Sequence, residues 1–161
     1  MSNDAMICRP IGHLETPWAT TSECPRNGRQ PDPPPLCRAV LAPQFRPGLT
    51  SLEGFSHLIL LYWLNREPGT SDELVFTPRF DDQPRGVFAT RTPRRPNPIG
   101  LSVVRLRGIT DGVLSVQYLD CVNGTPLLDI KPYLPRTDSE PEASVGWLAQ
   151  SRSLHATGEQ R

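Results

Sequence analysis

Proline constrains this chain more than any other residue. Nineteen of its 161 residues are proline, more than twice the usual share of about 5%. Proline lacks a backbone donor and fixes φ near −65°, so it breaks helix interiors and is confined to loops, turns and sheet edges. Long helices are therefore scarce, and a loop-rich β protein is expected. Glycine adds only 12, so the two together stay below the roughly 25–30% that marks disordered chains. At this length one domain is expected, burying roughly 70% of the surface its unfolded chain exposes.

Seventeen basic and 17 acidic residues cancel, which argues against attachment to nucleic acid or membrane by bulk charge. The cancellation conceals a dipole. Arg85 to Arg107 holds six arginines and no acid, whereas Gly108 to Glu142 holds six acids against Lys131 and Arg136. All basic residues except Lys131 are arginine, the side chain suited to planar, bidentate anion binding. Cys8, Cys24, Cys37 and Cys121 form no CxxC pair, so no metal site is expected. The first ten residues lack the pattern of a signal peptide, and the longest apolar run is too short to span a membrane. The chain reads as cytoplasmic, with reduced thiols.

Short β-rich runs separated by turn residues point to a single antiparallel sheet rolled into a barrel. Met6–Ile11 is the first expected strand. Thr16 to Pro35, with six prolines, is a long loop. Leu36–Leu41 is the next strand, Leu49–Phe55 a connecting turn with one helical turn at most. His57–Leu64 is apolar enough for burial on both faces and richer than one short strand needs, which points to a homodimer. Leu74–Phe76 and Gly86–Ala89 are shorter strands. Leu101–Thr110 and Val113–Leu119, joined by Asp111-Gly112, form a hairpin with a type I′ turn. Asp129–Tyr133 closes the sheet, and Glu140–Leu148 suits a small helix. Residues 1–5 are expected to be disordered, 6–136 to form the domain and 137–161 to be a polar tail.

No GxSxG, P-loop, HExxH or GxGxxG motif is present. An enzyme built on this chain would act by positioning reactants rather than by a side-chain nucleophile. The strongest candidate segment is Arg91-Thr-Pro-Arg-Arg-Pro-Asn-Pro-Ile-Gly100. Its three prolines stiffen the loop before any ligand arrives, so its arginines lose less entropy on binding. Asn123-Gly124-Thr125-Pro126 is a second turn where a ligand could approach the backbone. His57 suits a hydrogen-bonded core role, and Cys8 and Cys121 suit packing.

Three stretches, Gly86–Arg91, Arg95–Ser102 and Gly124–Pro135, resemble the TrmO family of tRNA methyltransferases, once called YaeB-like or VirR-like. Leu52–Leu58 and Pro25-Arg26 support the match, which covers residues 6 to 148. The resemblance implies an all-β, single-sheeted barrel that binds S-adenosyl-L-methionine without a Rossmann domain and pairs as a homodimer. It implies methylation of N6 of threonylcarbamoyladenosine beside the tRNA anticodon, in a short form lacking the family's C-terminal domain. Cofactor contacts would fall on Pro25, Arg26, Asn27, Asn65, Arg66, Arg91, Leu101, Asn123, Gly124, Thr125 and Pro126. Arg94 and Arg95 would meet RNA phosphate. Asp129, Lys131 and Tyr133, on one strand face by period-2 alternation, are candidates for positioning the acceptor. The chain departs from the family at Asn123, where an aspartate is usual, and at Arg94, often an aromatic. The alternative is a cofactor- or RNA-binding module without turnover.

Overall fold

Strand formation follows the alternation of apolar residues in a computed structural model that describes residues 7–66, 73–79 and 81–150. Strands β1 (Gly12–Glu15), β2 (Cys37–Leu41) and β3 (His57–Trp63) are followed by a short pair, β4 (Val75–Phe76) and β5 (Arg85–Gly86). Then come β6 (Ile99–Thr110), β7 (Val113–Gln117) and β8 (Thr125–Pro132). Six of them close a barrel in the order β1-β2-β7-β6-β3-β8. Every neighbouring pair is antiparallel. Leu14, Leu58, Leu60, Leu114 and Leu127 are fully buried in its interior. The all-β barrel is the architecture the sequence implies.

Two compact units make up the chain. The barrel unit is Met1–Pro68 with Pro98–Tyr133, and the second is Gly69–Asn97 with Leu134–Arg161. In the second unit β4 pairs with β5. A 3₁₀ turn follows at Val87–Ala89, then a one-turn helix α1 (Pro135–Asp138) and a 3₁₀ segment at Gly146–Gln150. Asp138 accepts a hydrogen bond from the Leu134 amide at 2.7 Å, closing the α1 turn.

Several expected elements are corrected. Of the strand expected at Met6–Ile11, the described residues 7–11 form none, and the first strand begins at Gly12, because Pro10 interrupts a donor ladder there. Cys8 lies ahead of that strand and is exposed, not packed. β3 is not buried on both faces: Leu58, Leu60 and Tyr62 point inward, and the alternate residues are half-buried. A closed single sheet has only one interior, so the second face looks outward. The one helical turn expected in Leu49–Phe55 is there, at Leu52–Gly54, and a further 3₁₀ segment the sequence did not announce precedes it at Pro43–Leu49. The helix expected at Glu140–Leu148 is absent except for the 3₁₀ segment from Gly146, since Pro141 and Gly146 oppose a continuous helix. The expected disorder of residues 1–5 falls outside the described residues.

The hairpin is as the sequence indicates. Asp111 (φ 52°) and Gly112 (φ 80°) both take the left-handed conformation that a type I′ turn requires. β7 stops at Gln117, short of Leu119, because Tyr118 turns to φ 79°. The last strand starts earlier than Asp129, at Thr125. Tyr62 faces Leu127 while the adjoining Leu61 faces Asp129. Leu128 is thus an extra residue, a bulge that reverses the inward and outward phase along β8.

Candidate functional site

One end of the barrel gathers the termini of β3, β6 and β8. Asn65 and Arg66 follow β3 and are exposed. Leu101 projects outward from the start of β6 and is 45% exposed. The Asn123–Gly124 turn leads into β8 and is fastened on both sides. Asn123 N donates to Trp18 O and Gly124 N to Leu14 O, each at 2.8 Å. Asn123 Oδ1 accepts from Thr16 N at 3.1 Å. Thr125 N and Oγ1 both bond Val122 O, at 3.2 and 2.6 Å, and Pro126 has no N–H. Every backbone amide donor of residues 123–126 is thus consumed, so the backbone of the turn can offer a ligand only carbonyl oxygens, and the Asn123 side-chain amide remains its one N–H source. Such a backbone suits an amino or ammonium group and excludes a phosphate cradle. Beside it Thr21, Leu64, Arg66, Val122 and Thr125 line a depression of about 20 Å³.

The long loop, with its six prolines, is anchored to the same end. A side-chain carbon at position 28 would sit 2.0 Å from Tyr118 O, so only glycine allows the loop to lie against that backbone. The Arg29 guanidinium stacks over the Tyr118 ring at 4.5 Å. Within the loop, Glu23 accepts from the amides of Ala19 and Thr20 at 2.7 and 3.0 Å. Gln30 Oε1 accepts from Arg26 N at 2.8 Å. Pro25, Arg26 and Asn27 are therefore held between two fixed points, with Arg26 and Asn27 exposed.

A polar cluster of buried Tyr62 and Ser102 with half-buried Asp120 carries no signal of its own in the motifs. Tyr62 O–H donates to Asp120 Oδ1 at 2.9 Å, and the Ser102 hydroxyl is 2.8 Å from the Tyr62 oxygen. Burial first, then the Asp120 charge, push the Tyr62 phenol far above its usual range. Gly100 makes the cluster possible: a Cβ there would meet the Tyr62 ring at 2.1 Å. The signal was a tyrosine in an otherwise apolar strand, since a buried phenol needs a partner. Burial raises the Cys37 and Cys121 thiols to about 11 and about 12, which keeps both neutral and unreactive.

Asp129, Lys131 and Tyr133 do share the outer face. Asp129 Oδ2 pairs with Lys131 Nζ at 2.7 Å, and the Tyr133 ring meets His57 edge-on at 6.4 Å. His57 also bonds Ser56 Oγ through Nδ1 at 3.0 Å, at the half-buried surface of β3. Asp129 lies in register with Leu61, and Leu61 with Leu101, so cofactor and acceptor candidates occupy one cross-strand row.

Arg91, Arg94 and Arg95 belong to the second unit. Arg94 is exposed and has no hydrogen bond or ion pair among the described residues. Arg95 is half-buried and its Nη1 donates to the carbonyls of Thr90 and Thr92, each at 3.3 Å. Arg91 is exposed. In the same unit Arg85 bonds Asp81 at 2.7 Å, which holds that carboxyl below its usual range, and stacks over Trp147 at 4.6 Å.

Comparison with known proteins adds a lineage. Residues 13–139 match the family model described as the tRNA-methyltransferase O N-terminal domain. A probable S-adenosyl-L-methionine-binding protein of Archaeoglobus fulgidus is 41% identical over 143 residues, 89% of this chain and 38% of that protein. The human tRNA (adenine(37)-N6)-methyltransferase is 35% identical over 83% of this chain and 31% of its own length. A crystal structure of TrmO from Pseudomonas aeruginosa superposes with a TM-score of 0.73 at 34% identity, covering 89% of this chain and 62% of that one. This chain thus spans less than two thirds of each of these three relatives.

Proposed function

The chain belongs to the TrmO family, and from that premise we propose that residues 6–136 form an S-adenosyl-L-methionine-dependent tRNA methyltransferase. Its acceptor is N6 of threonylcarbamoyladenosine beside the anticodon, in the cytoplasm. The observation that carries the reading is the barrel end, where a turn with no free backbone donor lies beside an exposed guanidinium. S-adenosyl-L-methionine supplies an electrophilic methyl group on a sulfonium, and its polar groups match this set. Carbonyls of 123–126 accept from its amino groups, Arg66 takes its carboxylate, and Leu64 and Val122 offer apolar wall. Pro25, Arg26 and Asn27 would complete the set within the barrel unit, and Arg91, in the second unit, is a separate cofactor candidate from the family resemblance.

The side chains present no nucleophile, and the reaction needs none. What they supply is alignment, which is worth several orders of magnitude in rate when the geometry is held. Asp129, Lys131 and Tyr133 position the acceptor base. Asp129 and Lys131 form an exposed ion pair and orient the base. As N6 takes the methyl group the C–S bond of the donor would break to leave S-adenosyl-L-homocysteine, and the N6 proton would pass to solvent. Asn123 meets Thr16 through an oxygen that an aspartate would present equally, so this departure leaves the turn intact without a charge.

A depression of about 20 Å³ holds roughly one water, far below the several hundred Å³ of an ordinary ligand pocket. We assign the remaining enclosure in part to a second copy of the chain. Ile59, Leu61 and Trp63 on β3 align outward with Val103, Leu101 and Ile99 on β6, a continuous apolar patch suited to a two-fold interface.

Purified protein incubated with cofactor and tRNA containing threonylcarbamoyladenosine should yield its methylated nucleoside by mass spectrometry. Tight cofactor binding by calorimetry with no methylated nucleoside would leave a binding module. Absence of cofactor binding at millimolar concentration would refute both.

A further inference from the structure

Phe88 is the most exposed aromatic side chain among the described residues, at 75%. It is also among the most firmly mounted. Its predecessor Val87 is buried and donates its amide to Leu74 O at 2.8 Å. Its successor Ala89 gives its carbonyl to the Trp147 indole at 2.8 Å. Thr90 closes the turn on Val87 O through both N and Oγ1, at 3.2 and 2.9 Å. Arg95 then ties the Thr90 and Thr92 carbonyls together. A hydrophobic ring held rigidly in water, on the segment that presents exposed Arg91 and Arg94, has the composition of a single-stranded RNA contact. Aromatic faces stack unpaired bases, and neighbouring arginines neutralise the phosphates.

We propose that Phe88 is a stacking platform for an unpaired purine of the tRNA anticodon loop, with Arg94 on the adjoining phosphate. This rests on the tRNA reading above and adds a base contact to it. The mounting explains why the ring can be exposed without loss of affinity through disorder: the turn is ordered before RNA arrives, so binding does not have to order it. A purine is favoured over a pyrimidine because its larger face overlaps more of the ring. The base itself is read by shape, since phenylalanine has no donor or acceptor.

The test uses the full chain and a synthetic anticodon stem-loop RNA with 2-aminopurine at the unpaired loop position next 3′ to the acceptor adenosine. Wild-type protein should quench its fluorescence on binding. Phe88→Ala and Phe88→Leu should raise the RNA Kd roughly five- to hundredfold and abolish the quench, and Phe88→Trp should restore both. The salt slope, cofactor Kd and melting temperature should match wild type, because the ring touches no phosphate and packs on little. Phe88→Ala binding RNA as tightly as wild type, or Phe88→Leu behaving as Phe, would overturn stacking. A loss confined to particle mass or to cofactor affinity would instead place the ring against a second copy or the cofactor, and also overturns it. Wild-type protein that binds no tRNA at all would remove the tRNA reading itself, an outcome distinct from an unchanged Phe88 variant.

Discussion

Gly100 shows how one residue can serve the core and the motif at once. It belongs to the Arg95–Ser102 stretch that resembles the family, yet its lack of a side chain makes room for the Tyr62 ring. Gly100→Ala should lower stability by about 1–3 kcal/mol through overpacking, measured by denaturant melts. In a Tyr62→Leu background, which removes the ring, the same change should be much milder, so the double-mutant cycle is non-additive. The thiols give a second residue-scale prediction. Cys8 should react with a thiol reagent at pH 8, while Cys37 and Cys121 should not until the protein unfolds. Their native pKa values lie above the ordinary 9.0, so the native state binds more protons than the unfolded state from about pH 9 upward. Stability is therefore complete below pH 9 and falls as pH rises towards 12. Cys121→Ala should flatten that fall in a melting-temperature series; an unchanged pH dependence would rule the thiol out as its source.

At the scale of elements, the local signals were legible and the long-range ones were not. Asp111-Gly112 announces its turn through positive φ, a purely local demand, and the hairpin formed accordingly. Tyr118 announces nothing: its φ is 79° where Gly28, ninety residues earlier in the chain, lies against its backbone. The Leu128 bulge is equally silent, since alternation read from one strand cannot reveal how many residues the partner strand supplies. The arginine loop shows the same limit. Sequence treats Arg94 and Arg95 alike, but the fold turns one to solvent and the other onto backbone carbonyls. Arg94→Ala should flatten the salt dependence of tRNA binding by about one unit of log–log slope and leave the melting temperature unchanged. Arg95→Ala should cost about 1 kcal/mol of stability by orphaning the Thr90 and Thr92 carbonyls, and speed hydrogen exchange across residues 87–92. Equal salt slopes for the two variants would show that Arg95 also reaches phosphate.

At the scale of the whole molecule, the barrel's outer face and its ligand-poor end pose one problem with a common answer. A closed six-stranded barrel has too narrow an interior to house a cofactor, because side chains fill it; its site must form on the outside. The outside of β3 and β6 is apolar where the row of candidate cofactor residues begins, and exposed Ile99 and Leu101, at 42% and 45%, are costly to leave in water. Covering them with a second copy removes that cost and encloses the Leu101 end of the row in the same step. The particle in solution should therefore have twice the 17.9 kDa of the chain. Ile99→Glu places a charge on that face without touching the barrel interior. It should shift light scattering towards the single-chain mass at micromolar concentration and raise the cofactor Kd at least tenfold, with the circular dichroism of the barrel preserved. Because Ile99 is not among the residues assigned to the cofactor, a monomeric variant that still binds cofactor at wild-type affinity would show that each chain holds a complete site.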